Sequence, residues 1–376
     1  MKSVQAVLAA LCCIGSAQAE VQFRCPAQLE ALATEVPAYL RALNIPAAQV
    51  VQTLDLRVGT LTLALTTAAE DTRTLDFLAR PDFALATEQL RLPTAKGKPR
   101  IVATASRKEI MLALLQHGRV IEFNDTACSL EALADHVGIR QNIVAWAENL
   151  NWIWPNGGAA KWNGKYWKYG TPKPGVALHV AVMDVFLHQD KYAIGCYTAS
   201  KLVVVQGVLD YYRRVKPDPR RLRSVEAALL ADGEPLVGIE PGNMWSFEKD
   251  FDPLDTDRPG KLLRLHVKVA PDNFVPGDWG YLLNTDAVSE QKTGYEGSNA
   301  IYLGGNRFDD FYNDHEHSYT YEEKLNEVYQ WRNGVFNRIR DAKKATTLAP
   351  AELARLTGTP DAGGLQLDIR VAPKHF

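Results

Sequence analysis

The chain reads as a two-domain α+β protein, and three observations predict it. Its 376 residues are enough for two domains of ordinary size. Apolar residues recur at three- and four-residue spacing in some segments and alternate with polar ones in others. The composition, 46% hydrophobic and 23% charged, is that of a chain that buries a core of normal size.

The N-terminal residues read MKSVQAVLAALCCIGSAQAE. Lys2 supplies a positive start, Val4 to Ile14 is mostly apolar, and Ala17-Gln18-Ala19 fits a small-x-small cleavage site. Residues 1–19 are therefore expected to be a signal peptide, with the mature chain beginning at Glu20 in the periplasm or outside the cell. Leu11 and Cys12 precede Cys12 and Cys13 where a lipoprotein site would have a small residue. The apolar run is shorter than the roughly 20 residues that span a bilayer, and no later stretch reaches that length. A soluble exported protein without a stable membrane anchor is expected. Five cysteines, less Cys12 and Cys13, leave Cys25, Cys128 and Cys196. In an oxidising compartment two of them tend to pair. Cys25 opens the mature chain and Cys128 closes its first region, so a Cys25–Cys128 disulfide is expected. Cys196 is left over, as a core thiol or a reactive one.

The first region, 20–145, is expected to be an α+β domain. Leu29, Leu32, Val36, Leu40 and Leu43 mark a helix within 25–45. Alternation over 54–58 and 61–65 predicts strands. Residues 107–117 and 129–150 return to helical spacing, with Ser129 as a cap for the second, although Ala132 stands where a capping box has Glu. His117, Asp125 and His136 are scattered and read as surface or core. The formal net charge of −2 gives no global reason for a nucleic-acid partner. Arg213-Arg214 and Arg220-Arg221 with Arg223 read as a solvated helix end and loop.

A second domain is expected over 146–345. It opens with Trp146, Trp152, Trp154, Trp162, Tyr166, Trp167 and Tyr169, interleaved with Gly and Asn that argue for loop and turn. Trp152, Trp154, Trp162 and Trp167, with Trp279 further on, are candidates for a substrate-binding wall; the alternative is that they pin a long loop to the surface. Residues 346–376 are read as a C-terminal tail, an appendage with one strand at 365–369.

The chemistry concentrates in four segments. After Gly195-Cys196, the spacing of Leu202, Val205, Val208, Leu209, Tyr212 and Val215 predicts a helix. Cys196 then sits at its N-terminus, where unpaired N–H groups and the helix dipole favour a thiolate. Pro276-Gly277-Asp278 turns into a strand carrying Trp279 and Tyr281. Glu296 precedes Gly297-Ser298-Asn299 and a short strand, Ala300–Leu303. Asp314-His315-Glu316-His317 precedes a helix with a Thr320/Glu323 capping box.

This ordered set resembles the spore-coat type of bacterial transglutaminase (protein-glutamine gamma-glutamyltransferase), itself similar in outline to the papain-like NlpC/P60 hydrolases. The likeness covers about 190–318. It implies a papain-like, NlpC/P60-like catalytic domain in which the Cys196 helix packs on a small antiparallel sheet. It implies that Cys196 is the nucleophile and Glu296 an acidic partner able to act as base. The family's histidine follows in a Gly-His-Gly setting that this chain lacks, so His315 and His317 are the candidates for its place, and Gly195 stands where the family tends to have an acid. The implied substrates are proteins or peptides bearing glutamine and lysine, with no metal or organic cofactor. A glutamate serves as base if burial raises its pKa, whereas histidine does so by default. Of the remaining histidines, His179, His188 and His266 lie in the same region, and His179 in the apolar, strand-like run 176–185 reads as core.

Rival readings stand beside this one. His315 and His317, two residues apart, would share one face if that segment were a strand and could then hold zinc, without an evident third ligand. Asp252, Asp255 and Asp257 suggest calcium but lack the spacing of an EF-hand. A cysteine amidase or peptidase acting on cell-wall peptides would use the same acyl-enzyme with water as acceptor. An inactive envelope binding module would use the tryptophan-rich loop alone.

Overall fold

Leu29, Leu32, Val36 and Leu40 fall on one face of helix α1 (Leu29–Ala42) and are buried together, as their spacing requires. They lie in a computed structural model that describes residues 20–25, 27–155, 158–231, 263–309, 311–313, 318–336 and 343–375. The hairpin β2 (Val50–Asp55) and β3 (Thr60–Leu65) joins β1 (Val21–Arg24) and β6 (Ile121–Asn124) in a four-stranded sheet of order β2-β3-β1-β6. The alternating run expected as a strand over 54–58 stops at Asp55. Its carboxylate accepts from the N–H groups of Arg57 (2.8 Å) and Val58 (3.1 Å), which turns the chain toward Gly59. Cys25 and Cys128 form a disulfide that ties the start of this region to its end.

Strands β4 (Glu88–Leu92) and β5 (Arg100–Thr104) form a separate hairpin, followed by α2 (Arg107–Leu115). Helix α3 (Leu130–Ala147) begins at Ser129, whose hydroxyl accepts from Ala132 N–H at 3.1 Å. A short hairpin, β7 (Trp167–Lys168) and β8 (Thr171–Pro172), lies in the tryptophan-rich stretch. The run read as strand-like at 176–185 is instead helix α4 (Leu178–Leu187). An apolar run of that length suits either a buried strand or a buried helix, and ten residues fit the helix better.

Helix α5 (Cys196–Asp210) is buried from Tyr197 to Asp210. Its valines give it weak intrinsic propensity, so packing on all sides holds it. Gly207 is the point of closest approach to α3: a Cβ there would lie 3.0 Å from Ile143 Cα. Asn142 Nδ2 donates to Gly207 O at 2.9 Å across that contact. A π-helical turn, Tyr211–Val215, leads to α6 (Pro219–Ala231). Two of the basic residues expected to be solvated are paired: Arg214 with Asp210 at 2.6 Å, and Arg221 with Asp135 at 2.7 Å.

Strands β9 (Leu263–His266), β10 (Trp279–Leu283), β11 (Gly297–Gly304), β12 (Arg307–Asp309) and β13 (Ser318–Thr320) build most of a second sheet. Helix α7 (Tyr321–Gln330) starts with the expected Thr320/Glu323 capping box, and α8 (Pro350–Leu356) follows. The C-terminal segment read as an appendage is structural. It supplies β14 (Gln366–Pro373), which lies between β10 and β9 in a six-stranded sheet of order β13-β12-β11-β10-β14-β9. Its residues are largely buried at the C-terminal end, a pattern that distinguishes an interior strand from an edge.

One hydrophobic cluster runs from Val21 and Phe23 through α3 and α5 to Trp279, Ile301 and Val371. The expected boundary between residues 145 and 146 therefore separates elements that share a core. Next to Val275 and Trp279 of this cluster, the buried Asp278 accepts from Arg119 Nη2 (2.6 Å), Arg140 Nη1 (2.9 Å) and Val275 N–H (2.7 Å). Burial alone would raise the Asp278 pKa, but the two guanidinium groups outweigh it and hold the carboxyl down to about 2. This triad anchors the Pro276-Gly277-Asp278 turn that delivers β10. No described helix is long and apolar enough to cross a membrane.

Candidate active site

Gly195 is extended (φ −77°, ψ 167°) and caps α5, so the chain turns into the helix at Cys196. The backbone leading to it is fixed by the tryptophan-rich segment. Lys161 and Ala193 exchange backbone hydrogen bonds of 2.8 and 3.1 Å, and Ile194 N–H donates to Ile153 O. Trp152 N–H donates to Phe311 O on the other side. Cys196 is half-buried and outside the disulfide. Its sulfur lies at the first turn of a 15-residue helix, where the unpaired N–H groups favour negative charge.

Strand β11 runs beside it. Asn299 Nδ2 donates to Cys196 Sγ at 3.2 Å, and Asn299 Oδ1 accepts from the Trp279 indole N–H at 2.8 Å. Asn299 pairs with Tyr281 in the β10–β11 register. Tyr281 is buried near both Cys196 and Glu296. Burial, then the charges of Cys196 and Glu296, push its pKa well above the ordinary value, so it stays a protonated donor. Gly297 makes room for it: a Cβ there would meet the Tyr281 hydroxyl and lie 2.6 Å from Leu282 O.

Cys196 lines a small cavity of about 50 Å³ with Trp154, Tyr295, Ser298, Tyr312, Lys324, Glu327, Trp331 and Phe336. Five aromatic rings line it. Trp154 packs edge-on to Tyr312 at 5.2 Å, and Tyr295 to Trp331 at 5.1 Å. Gly294 (φ +87°) lets Trp154 close over it, since a Cβ would sit 2.8 Å from Trp154 Cζ2. The polar part is the ion pair of Lys324 and Glu327, one turn apart on α7, at 3.1 Å. Lys324 also sits 4.2 Å above the Tyr319 ring and 3.4 Å from Ser298 Oγ.

Glu296 does not line this cavity. It is half-buried just before β11, and its carboxylate accepts from Gly294 N–H at 2.8 Å. His315 and His317, with the rest of 314–317, lie outside the described residues, as does the 252–257 acidic cluster. His179 pairs with Glu226 (2.7 Å), His188 with Asp184 (2.8 Å) and His117 with Glu20 (3.0 Å). No group of metal-ligating side chains is found among the described residues. Of the tryptophans expected to bind substrate, Trp154 lines the cavity. Trp152 and Trp167 are buried and donate to Val185 O (3.0 Å) and Ala181 O (3.2 Å). Trp162 stacks beside Trp167 at 5.0 Å, and Trp279 is buried behind Asn299.

Ser298 and Asn299 stand in the Glu296 motif without a role assigned from sequence, and Lys324 and Glu327 carry no sequence signal. The signal for Asn299 was its place in a strand that follows the cysteine helix. Lys324 and Glu327 look like ordinary polar positions on a capped helix.

The family comparison is decisive at this point. Residues 88–333 match the model of the family described as TGL, protein-glutamine gamma-glutamyltransferase. The chain belongs to that family. The match begins at β4, well before the residue-190 start expected from motifs, because α2 and α3 are part of the frame that holds α5. Transglutaminase-type chemistry, with a cysteine acting on glutamine, is therefore the chemistry of the family to which Cys196 and its cavity belong. Among solved structures the chain is similar to a transglutaminase from Geobacillus stearothermophilus without its C-terminal extension. Identity there is 17%, over 66% of this chain and 95% of that one, with a TM-score of 0.41. No curated protein matches the chain.

Proposed function

We propose that the protein is an exported thiol acyltransferase that cross-links or deamidates protein glutamine. The observation that carries this reading is the half-buried Cys196 sulfur at a helix N-terminus, held by Asn299 and open to an aromatic-lined cavity. The helix-on-sheet frame is read as papain-like. The Cys196 thiolate attacks the carboxamide carbon of a glutamine side chain. Backbone N–H groups at the start of α5 are the available donors for the oxyanion. The C–N bond breaks, ammonia leaves with a proton from the site, and a thioester remains on Cys196. A lysine amine, or water, then attacks the thioester, the C–S bond breaks, and the thiolate returns. Glu296, His315 and His317 are the proposed proton carriers. Export rests on the leader-like residues 1–19 and on a disulfide of the kind that persists in oxidising compartments.

The test uses the purified mature chain beside Cys196→Ala. Incorporation of a fluorescent primary amine into a glutamine-rich protein is followed together with ammonia release. Cysteine-dependent incorporation supports acyl transfer. Ammonia release without incorporation assigns water as the acceptor. Absence of both signals rejects the reading and turns attention to cell-wall peptides.

A further inference from the structure

The orientation of one side-chain amide beside Cys196 is settled by its neighbour. A carboxamide has an accepting end and a donating end of nearly the same shape. An indole N–H only donates. Trp279 Nε1 lies 2.8 Å from one end of the Asn299 amide, so that end is the oxygen. The other end, 3.2 Å from Cys196 Sγ, is then the NH2 group. The sulfur is met by a donor and cannot be met by the amide oxygen while Trp279 stays in place.

Trp279 is itself held. It is buried, packs at 5.1 Å against the ring of Tyr197, and faces Ile301 in the β10–β11 register. The residue before it, Asp278, is clamped by Arg119 and Arg140. A connected path thus runs from the buried ion triad through Trp279 and Asn299 to the sulfur.

We propose that Asn299 is the hydrogen-bond partner that stabilises the Cys196 thiolate, and that Trp279 is a positioning residue that keeps the donor end of Asn299 toward the sulfur. A donor directed at sulfur favours the anion over the thiol, as does the start of α5. The amide does not titrate, so its support is constant across neutral pH. A protonated histidine could not offer that, because it loses its charge near its own pKa. The assignment rests on reading Cys196 as the nucleophile, but it concerns the state of the sulfur and leaves the proton carrier open.

The experiment measures the rate of Cys196 alkylation by iodoacetamide against pH, with the Cys25–Cys128 disulfide intact. The wild-type mature chain is compared with Asn299→Ala, Asn299→Asp and Trp279→Phe, each checked for folding by circular dichroism. Loss of a donor to an anion moves the Asn299→Ala midpoint upward by about one to two pH units. Asn299→Asp, nearly isosteric, moves it further, because a carboxylate repels a thiolate. Trp279→Phe gives a smaller upward shift, since the amide is then able to turn over. If Asn299→Ala fails to fold, Asn299→Asp carries the test. Folded variants with the wild-type midpoint overturn the proposal. Alkylation needs no glutamine substrate, so a shifted midpoint in a chain that incorporates no amine upholds this assignment while rejecting acyl transfer.

Discussion

The side-chain nitrogen of Asn299 lies 3.2 Å from the sulfur of Cys196, and so joins an inner strand of the larger sheet, β11, to the first turn of the buried helix α5. The two residues are 103 positions apart in sequence. Only the packing of α5 on β11 brings them together, so whatever disturbs that seam should change the chemistry.

Gly297 sits on the seam. A Cβ at this position would lie 2.6 Å from Leu282 O and also meet the Tyr281 hydroxyl, and backbone cannot yield cheaply. Gly297→Ala should destabilise the protein by about 1–3 kcal/mol and displace Tyr281, lowering Cys196 reactivity. Gly164 has no atom within 4 Å of its would-be Cβ, so Gly164→Ala should stay within about 0.5 kcal/mol of wild type. Urea unfolding of both variants checks the contrast.

Asp278 is fully buried between Arg119 and Arg140. Asp278→Ala leaves two guanidinium groups without their shared anion, at a cost of about 3–5 kcal/mol. The loss should appear as a lower denaturation midpoint.

Acid should weaken the fold through the buried His136 and His266 and the half-buried His375. Burial, reinforced by nearby arginines, holds His136 and His266 well below their ordinary pKa of 6.5, and brings His375 to about 3. All three are neutral when folded and take up protons when unfolded. The unfolded state therefore binds more protons below pH 6.5, and stability falls as pH falls from there toward the depressed values. Each proton taken up on unfolding contributes a slope of about 1.4 kcal/mol per pH unit. Asp278 adds a second loss between its ordinary 3.8 and about 2. His375 packs on Phe123 at 4.2 Å, so His375→Phe should flatten the dependence between pH 6.5 and 4 in a series of thermal melts.

Reduction of Cys25–Cys128 should lower stability by about 2–5 kcal/mol, as expected for a loop of this length. In the mature chain, thiol titration before reduction should find one reactive cysteine, Cys196. Intact mass should begin at Glu20 if export removes residues 1–19, and three thiols would show that the leader is retained.

Much of this was readable in the sequence. The face of α1, the helical spacing of α3, the capping residues Ser129 and Thr320, the disulfide and the helix behind Cys196 follow from local rules of spacing, capping and cysteine count. Three things were not. The 176–185 run is apolar apart from His179 and Asp184, too few polar positions to fix its period, so it is ambiguous between strand and helix. Strand β14 looks like a tail because strand pairing is non-local: nothing near Gln366 records that β9 and β10 will flank it. Asn299, Lys324 and Glu327 gain meaning from cavity geometry, which no single segment encodes. Tryptophan count suggested a binding wall, whereas burial makes Trp152 and Trp167 core residues with satisfied indoles.

The most direct test of the central claim is to catch the acyl-enzyme. The mature protein is mixed with a glutamine-containing peptide, quenched in acid and mapped by mass spectrometry. The account predicts an adduct on the fragment bearing Cys196, with the mass of the peptide less ammonia. The adduct should vanish on addition of a primary amine and be absent from Cys196→Ala. An adduct that persists in Cys196→Ala, or glutamine turnover by wild type whose Cys196 has been alkylated beforehand, would contradict it.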